Sequence, residues 1–355
     1  MKRTRHLGAI ALAAICALMM SACSGDTPPA STGGAGQSAA QITIGYSYPT
    51  KNNEFWGNAL TQIEAAASQF GVSLLSDDAN NKQEEQVADV QNMFSAGIQG
   101  LVLAPQDASV VPGILSEAKS RNIPVVIVDR YPGDDLKAGT DYVGFIGPND
   151  VAAGKAIANA LISAGATKLV ALGGFDGTSV AEGRKQGLNE AIAASSGVEL
   201  LQYLAVGENM DVGTQGMTNL LQAHPDLNGV WCYNDSLALA SVDVLKAKNL
   251  ISTVKVGGMD LLSPAIKSMQ AKELWFSTGG HYMQSAFGLV WVYDAINGKL
   301  PSSPQVQIDT LDIDQTTVAA FVAKYVDNAT PVDYTQYSQV KNPGSTQSFT
   351  ELTLG

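Results

Sequence analysis

The chain has 355 residues, of which 45% are hydrophobic and 15% are charged, and its formal net charge is −12. Length and composition together predict a globular protein with more than one domain. The acidic balance, with no run of Lys or Arg beyond the N-terminus, argues against nucleic acid or an anionic membrane surface as a partner.

The first 40 residues have the features of an export signal followed by a tether. Basic side chains near the N-terminus precede an apolar stretch that is too short to span a membrane. The motif Ser21-Ala22-Cys23 resembles a bacterial lipobox, so we expect residues 1–22 to be removed as a signal peptide and Cys23 to be lipidated. The alternative is an ordinary signal peptide that leaves Cys23 free. Residues 23–40, rich in Ser, Gly, Ala and Pro, predict a flexible tether.

These features predict an exported lipoprotein, at the cell surface or in the periplasm. Its lipid alone would hold it on the outer face of the cytoplasmic membrane. No other stretch of the sequence is apolar over the roughly 18 residues that a membrane helix needs. We expect the protein to be a monomer.

From residue 41 onward, short apolar runs alternate with segments of helical periodicity. The predicted strands are 42–48, 72–76, 100–104, 124–129, 142–147, 168–173, 200–206, 229–233, 254–259, 274–277 and 305–310. The predicted helices are 54–70, 81–96, 108–121, 149–164, 178–195, 211–223, 235–248, 261–271 and 281–298. Continuous apolar runs, such as VVIV at 125–128, are typical of parallel strands that are buried on both faces. The alternation therefore predicts an α/β fold built from doubly wound parallel sheets.

The predicted strands form two series of about five, which indicates two similar lobes. Short Gly/Pro breaks separate the series, so we expect a hinge with several chain crossings that lets the lobes close on each other. We assign 41–147 and 281–309 to the N-terminal lobe, and 148–280 and 310–326 to the C-terminal lobe. Residues 327–355 are predicted to form an irregular strap or a partly disordered end.

Polar and aromatic residues follow many of the predicted strands, where open α/β sheets bind their ligands. The candidate ligand-binding residues are Asn53, Phe55, Trp56, Asp129, Arg130, Arg184, Glu208, Asn234, Asp260 and His281. Simpler roles exist for several of them, since Asn53, Asn234 and Asp260 can cap the helices that follow. Asp129 and Arg130 can form a local ion pair. The repetition of such residues at equivalent positions favours a ligand site.

The chemistry of this set favours a neutral polyhydroxyl ligand. Arg, Asp and Asn side chains form paired hydrogen bonds with neighbouring hydroxyl groups. Aromatic faces cover the C–H patches of a sugar ring. The candidate carboxylates Asp129, Glu208 and Asp260 nearly balance Arg130 and Arg184, which disfavours a charged ligand.

The sequence lacks the enzyme motifs G-x-S-x-G, H-E-x-x-H, C-x-x-C and G-x-G-x-x-G. Its three His residues do not form a metal-binding cluster, so we expect no enzyme activity, no metal and no cofactor. A glycosidase would need a carboxylic acid as proton donor, whereas the neighbouring Arg side chains are expected to keep these carboxylates ionised. A DNA-binding regulator would need a basic helix-turn-helix before residue 41.

Several short motifs together resemble the periplasmic sugar-binding proteins of the ribose-binding type, over about 41–310. These motifs are NNEFW at 52–56, IVDR at 127–130, GTS at 177–179, R-x-x-G at 184–187, NLLxAHP at 219–225, YND at 233–235 and VGGMD at 256–260. The resemblance implies a type I periplasmic binding fold and delivery of a sugar to an ABC permease of the inner membrane. A sensor or chemotaxis partner is the alternative, or an additional partner. It further implies sugar contacts from Asn53, Phe55, Trp56, Asp129, Arg130, Arg184, Asn234 and Asp260.

Three departures from the ribose-binding pattern bear on the ligand. Pro49 replaces a Ser, Glu208 or its neighbour replaces an aromatic residue, and Gly280 stands where a Gln is expected, next to His281. These changes disfavour ribose and make a sugar alcohol as suitable as another pentose or a hexose. The resemblance assigns no role to Glu54.

Overall fold

The structure is a computed structural model and describes residues 41–346, 349 and 352–354. The predicted signal peptide, the lipidated Cys23 and the tether therefore lie outside the described residues. The strands are β1 Thr43–Tyr48, β2 Ser73–Asp78, β3 Gly100–Leu103, β4 Val125–Val128, β5 Gly144–Pro148, β6 Lys168–Gly173, β7 Glu199–Ala205, β8 Gly229–Cys232, β9 Lys255–Asp260, β10 Phe276–Gly279, β11 Gln305–Ile308 and β12 Leu311–Asp314.

The helices lie between these strands along the chain. They are α1 Glu54–Phe70, α2 Gln83–Ser95, α3 Val111–Ser120, α4 Asp150–Ser163, α5 Ser179–Ala193, α6 Met210–Ala223, α7 Asp235–Ala247, α8 Ser263–Gln270, α9 Gln284–Ile296 and α10 Val318–Phe321. The predicted helices and the first ten predicted strands match these elements to within three residues at each end. None of the helices in the described residues is long and apolar enough to cross a membrane.

The strands form two six-stranded sheets. Their orders are β11-β5-β4-β3-β1-β2 and β12-β10-β9-β8-β6-β7. All pairs are parallel except β12, which runs antiparallel to β10. The predicted α/β fold with two doubly wound parallel sheets is therefore confirmed.

The strand predicted at 305–310 is confirmed as β11 to within two residues, whereas β12 at Leu311–Asp314 was not predicted. β11 pairs with β5 of the first sheet, and β12 pairs with β10 of the second. The chain leaves one sheet after Ile308 and joins the other at Leu311. Within the described residues it also passes between the sheets after β5 and after β10, so three short segments connect them.

Close helix contacts in the second lobe depend on two glycines. A Cβ atom at Gly154 on α4 would lie 2.0 Å from the backbone oxygen of Arg184 on α5. A Cβ atom at Gly187 would lie 2.0 Å from the backbone oxygen of Val151. Any side chain at either position would force the helices apart. The two glycines thus bring Arg184 against the N-terminal turn of α4.

The described residues after 327 have little regular structure, and the segment around Tyr334 and Ser338 packs on α1 and α9. The ring of Tyr334 is fully buried, at a centroid distance of 5.6 Å from Phe287, and its hydroxyl donates to Gln62 Oε1 over 2.6 Å. Asp294 on α9 accepts hydrogen bonds from the Ser338 hydroxyl and from the Gln339 backbone amide. This segment therefore contributes core contacts to the first lobe.

Replacing Tyr334 tests that contribution. We expect Tyr334→Ala to lower the free energy of unfolding by about 3 to 4 kcal/mol, because a large buried ring is lost. Tyr334→Phe keeps the ring and loses only the hydrogen bond, so it should cost about 1 kcal/mol. Denaturant unfolding of both variants provides the measurement. Equal costs for the two variants would contradict a packing role for the ring.

Candidate functional site

The carboxyl ends of the two sheets face each other across a narrow cleft. All ten residues singled out in the sequence line one cavity in this cleft, together with Tyr233. The cavity leaves about 20 Å³ for the centre of a water-sized sphere. Such a space holds only one or a few water molecules, so a larger ligand requires the surrounding side chains or the lobes to separate.

The first lobe contributes an aromatic wall after β1. The Asn53 side chain accepts a hydrogen bond from the Phe55 backbone amide over 2.9 Å and caps α1. Phe55 and Trp56 follow in the first turn of α1, and both are buried. Phe55 also lies 4.6 Å from His281, measured between ring centroids. The predicted cap at Asn53 is therefore present, and the same turn directs two rings towards the cleft.

Asp129 and Arg130 follow β4 and are both buried. The Asp129 carboxylate accepts a hydrogen bond from Gln284 Nε2 over 2.7 Å. Its distance of 3.9 Å from Arg130 Nε makes the predicted local ion pair a loose one. Arg130 instead donates to the backbone oxygen of Gln106 over 2.7 Å and to Glu208 Oε1 over 3.1 Å. The Arg130–Glu208 pair connects the two lobes across the cavity.

The second lobe holds Arg184 in one orientation. Its Nε donates to Asp150 Oδ1 over 2.8 Å, and its Nη1 donates to the backbone oxygen of Tyr233 over 2.9 Å. The guanidinium carbon lies 4.4 Å from the centre of the Tyr233 ring. A cation over an aromatic face gains electrostatic stabilisation. Arg184 is therefore positioned before any ligand arrives.

Asn234 links two parts of the second lobe. Its side-chain oxygen accepts from the Leu237 backbone amide and caps α7, as one alternative predicted. Its side-chain nitrogen donates to the backbone oxygen of Glu208 over 2.9 Å. The other capping alternative, for Asp260, is wrong: α8 has Leu262 at its N-cap position, with no side-chain cap. The Asp260 carboxylate accepts no hydrogen bond from the described residues, and Asp260 lines the cavity.

Tyr233 is the lining residue that the sequence analysis missed. Its hydroxyl donates to Glu208 Oε1 over 3.2 Å, so Glu208 lies between Tyr233 and Arg130. The predicted strand included Tyr233, whereas β8 ends at Cys232. The ring therefore belongs to the loop at the carboxyl end of the sheet. The YND motif contained this residue and was the available signal.

Comparison with known proteins identifies the family of this chain. The family described as periplasmic binding protein domain matches residues 44–300. The chain belongs to this family. It is similar to the ribose import binding protein of Bacillus subtilis (26% identical over 266 residues, 72% of this chain and 82% of the relative). It is also similar to that of Escherichia coli (30% identical over 221 residues, 61% of this chain and 72% of the relative).

Among solved structures, this binding protein is similar to an ABC transporter solute-binding protein from Mycobacterium smegmatis with bound glycerol. The TM-score is 0.74 and the identity is 26%, covering 80% of this chain and 98% of the other. The resemblance stated from the motifs is therefore confirmed at the level of family and fold. Both findings concern the whole two-lobed body and not single side chains.

Several titratable groups in the cleft of this binding protein are buried. Burial raises the pKa of Asp129, and the nearby guanidiniums oppose that rise. Burial also raises the pKa of Asp260 well above its usual value, with Arg184 opposing the rise. At both of these carboxyl groups desolvation outweighs the neighbouring cations, so the net pKa shift is upward. Burial lowers the pKa of His281 well below its usual value, so this ring is neutral at pH 7.

Some buried polar atoms of the cleft have no hydrogen-bond partner among the described residues. They include Arg130 Nε, which is a donor, and His281 Nδ1. Leaving such an atom unpaired in a buried site costs about 1–3 kcal/mol, so a partner that supplies hydroxyl groups would be stabilised here. In the same part of the chain, no three His, Cys, Asp or Glu residues are grouped so that they could hold a metal ion.

Asp150 gives a prediction about pH. Burial raises its pKa to about 7, although the adjacent Arg184 opposes the rise. Between about pH 4 and 7 the folded protein therefore holds a proton that the unfolded chain has released, and stability falls as the pH rises. We expect Asp150→Asn to flatten this fall by roughly 1 kcal/mol per pH unit.

Denaturant unfolding at pH 5, 6 and 7 provides the measurement. Asp235 also has a pKa raised to about 7 by burial, so part of the slope should persist in the variant. The exposed Asp243 offers the matched control, and Asp243→Asn should leave the slope unchanged. An unchanged slope in Asp150→Asn would contradict the assignment.

Proposed function

We propose that this protein is the solute-binding component of an ABC importer and captures a neutral monosaccharide or sugar alcohol between its lobes. The observation that carries the proposal is the convergence of side chains from both sheets on one cavity, with the Arg130–Glu208 pair crossing it. A ligand in this position touches both lobes. It therefore favours the closed arrangement over the open one by its additional contacts.

We assign the ligand contacts to the cavity lining. Phe55 and Trp56 cover the carbon skeleton, since aromatic faces suit C–H patches. The hydroxyl groups pair with the charged and amide side chains, because these offer both donors and acceptors. The proposed contacts are Asn53, Phe55, Trp56, Asp129, Arg130, Arg184, Glu208, Asn234, Asp260 and His281.

The carboxylates that line the cavity support a small, flexible polyol at least as well as a sugar ring. Glu208 or its neighbour stands where the resemblance led us to expect an aromatic residue. Glu208 adds a carboxylate acceptor that Arg130 and Tyr233 hold in place. The similar protein from Mycobacterium smegmatis contains bound glycerol, which also supports a polyol. The departures at Pro49 and Gly280 make ribose the less suitable ligand.

The remaining assignments complete the proposal. We assign 41–147 with 281–309 to the N-terminal lobe and 148–280 with 310–326 to the C-terminal lobe, in keeping with the strands of each sheet. We propose a monomer without catalytic activity, metal or cofactor. It would act in the periplasm or at the cell surface, anchored through Cys23 and docking on an inner-membrane permease. A sensor or chemotaxis partner is the second candidate for the receiver.

Calorimetric titration tests the ligand class. We expect one member of a panel of pentoses, hexoses, cyclitols and linear polyols to bind saturably at one site. Asp260→Asn should weaken that binding by roughly 10- to 100-fold, because the amide replaces one acceptor oxygen of the carboxyl group with a donor. The exposed Asp243→Asn variant should bind as the parent does. Folded protein that binds none of the panel would overturn the proposal.

Expression of the full chain in its bacterial host tests the anchor. We expect the parent protein to sediment with membranes and to carry a lipid mass at Cys23. Cys23→Ser should release the protein into the soluble exported fraction, because a lipid supplies the membrane affinity. Mass spectrometry and fractionation provide the measurements. Membrane association that survives in Cys23→Ser would contradict lipidation at this residue.

A further inference from the structure

Glu54 connects the two lobes at the rim of the cleft. It is the first residue of α1 in the first lobe, directly after Asn53. Its carboxylate oxygen accepts a hydrogen bond from the Ser263 backbone amide over 3.1 Å, at the start of α8 in the second lobe. Both residues are exposed, so the contact lies outside the cavity that binds the ligand.

The start of α8 has an incomplete set of partners within its own lobe. The Leu261 amide donates to the Ser277 hydroxyl, and the Leu262 amide donates to Asp235 Oδ2. The Ser263 amide is the next donor, and its partner is Glu54. Leu262, at the N-cap position, has no side chain that could accept from this amide. A free N–H at a helix start normally finds a capping acceptor.

The loop before α8 belongs firmly to the second lobe. Asp235 is completely buried and accepts from the Ser277 hydroxyl over 2.7 Å as well as from the Leu262 amide. These bonds tie three elements of that lobe together. Opening of the lobes would therefore carry the Ser263 amide away from Glu54 while leaving its neighbours paired.

The electrostatics favour the contact in the closed arrangement. A carboxylate near helix N-termini is stabilised by the helix dipole, and Glu54 lies at the starts of both α1 and α8. The Asp235 carboxylate opposes this effect, since Glu54 contributes to the raised pKa of Asp235. The Glu54 carboxylate is stabilised by two helix termini and a direct hydrogen bond, and it is repelled by one carboxylate. The net effect at this exposed site is a modest attraction.

We infer that Glu54 is a positioning residue that latches the closed cleft by capping α8 of the opposite lobe. Its neighbours in sequence, Asn53 and Phe55, line the cavity from one lobe, and Asp260 lines it from the other, just before α8. A ligand that draws these residues together also brings Glu54 to the Ser263 amide. The latch adds to the stability of the closed state without touching the ligand. The inference goes beyond the proposed function and needs only the closing of the lobes.

Two substitutions separate this role from a local role in α1. Glu54→Asp keeps a carboxylate in the first turn of α1 but is one methylene group shorter, so it should lose the reach to Ser263. Glu54→Gln keeps the reach and an acceptor oxygen, so it should retain part of the contact. Glu64→Asp on the same helix is the matched control. Glu64 is exposed and has no hydrogen bond or ion pair in the described part of the chain.

Amide hydrogen exchange, followed by NMR on the full chain, reports the contact directly. We expect the Ser263 amide to exchange roughly three- to tenfold faster in Glu54→Asp than in the parent, while Leu261 and Leu262 are unchanged. Glu54→Gln should lie between the two, and Glu64→Asp should match the parent. Equal Ser263 exchange in parent and Glu54→Asp, with or without ligand, would overturn the latch. This readout does not require the ligand class to be right.

Ligand kinetics then test the coupling to closure. For whichever panel member binds the parent, we expect Glu54→Asp to raise the dissociation rate by roughly three- to tenfold and to leave the association rate unchanged. Only the dissociation rate should change, because the latch forms after the lobes have met. Faster Ser263 exchange with an unchanged dissociation rate would overturn the coupling. A panel without any binder would overturn the proposed function and leave the exchange experiment to decide on the latch.

Discussion

The buried ion pair between Arg130 and Glu208 is the interaction on which the cleft depends. Each charge would be costly to remove from water alone, and the two come from opposite lobes. Both charges can be buried when the cleft closes because each charge then meets its partner. The backbone of Gln106 holds the guanidinium, while Tyr233 and Asn234 hold the residue that carries the carboxylate. The surrounding polar network orients this one pair.

Backbone packing determines the position of Arg184, the second charged group of the site. Arg184 lies on a helix that crosses its neighbour so closely that Gly154 and Gly187 cannot carry side chains. This crossing places Arg184 beside Asp150 and over the Tyr233 ring. The glycine of the R-x-x-G motif thus serves the site indirectly. A residue type that contributes no functional group determines where a functional group lies.

Much of the fold and of the cavity lining could be predicted because the signals are local. Continuous apolar runs indicate buried parallel strands, and residues directly after such strands gather at one edge of a sheet. The errors arose where the outcome depends on distant partners. β12 at Leu311–Asp314 was missed because its pairing with β10 of the other sheet cannot be read from the residues around it. Tyr233 was missed because the end of β8 depends on its neighbours in the sheet.

The sequence by itself determined the order of helices and strands from β1 to β11, the parallel character of the sheets and the residue types at the strand ends. Each of these follows from periodicity within a few residues. Only the tertiary structure decided which charges pair, that burial raises the pKa of Asp129 and Asp260, and that Glu54 caps a helix 209 residues further along the chain. Those properties depend on desolvation and on contacts between lobes, and neither is encoded in a local pattern.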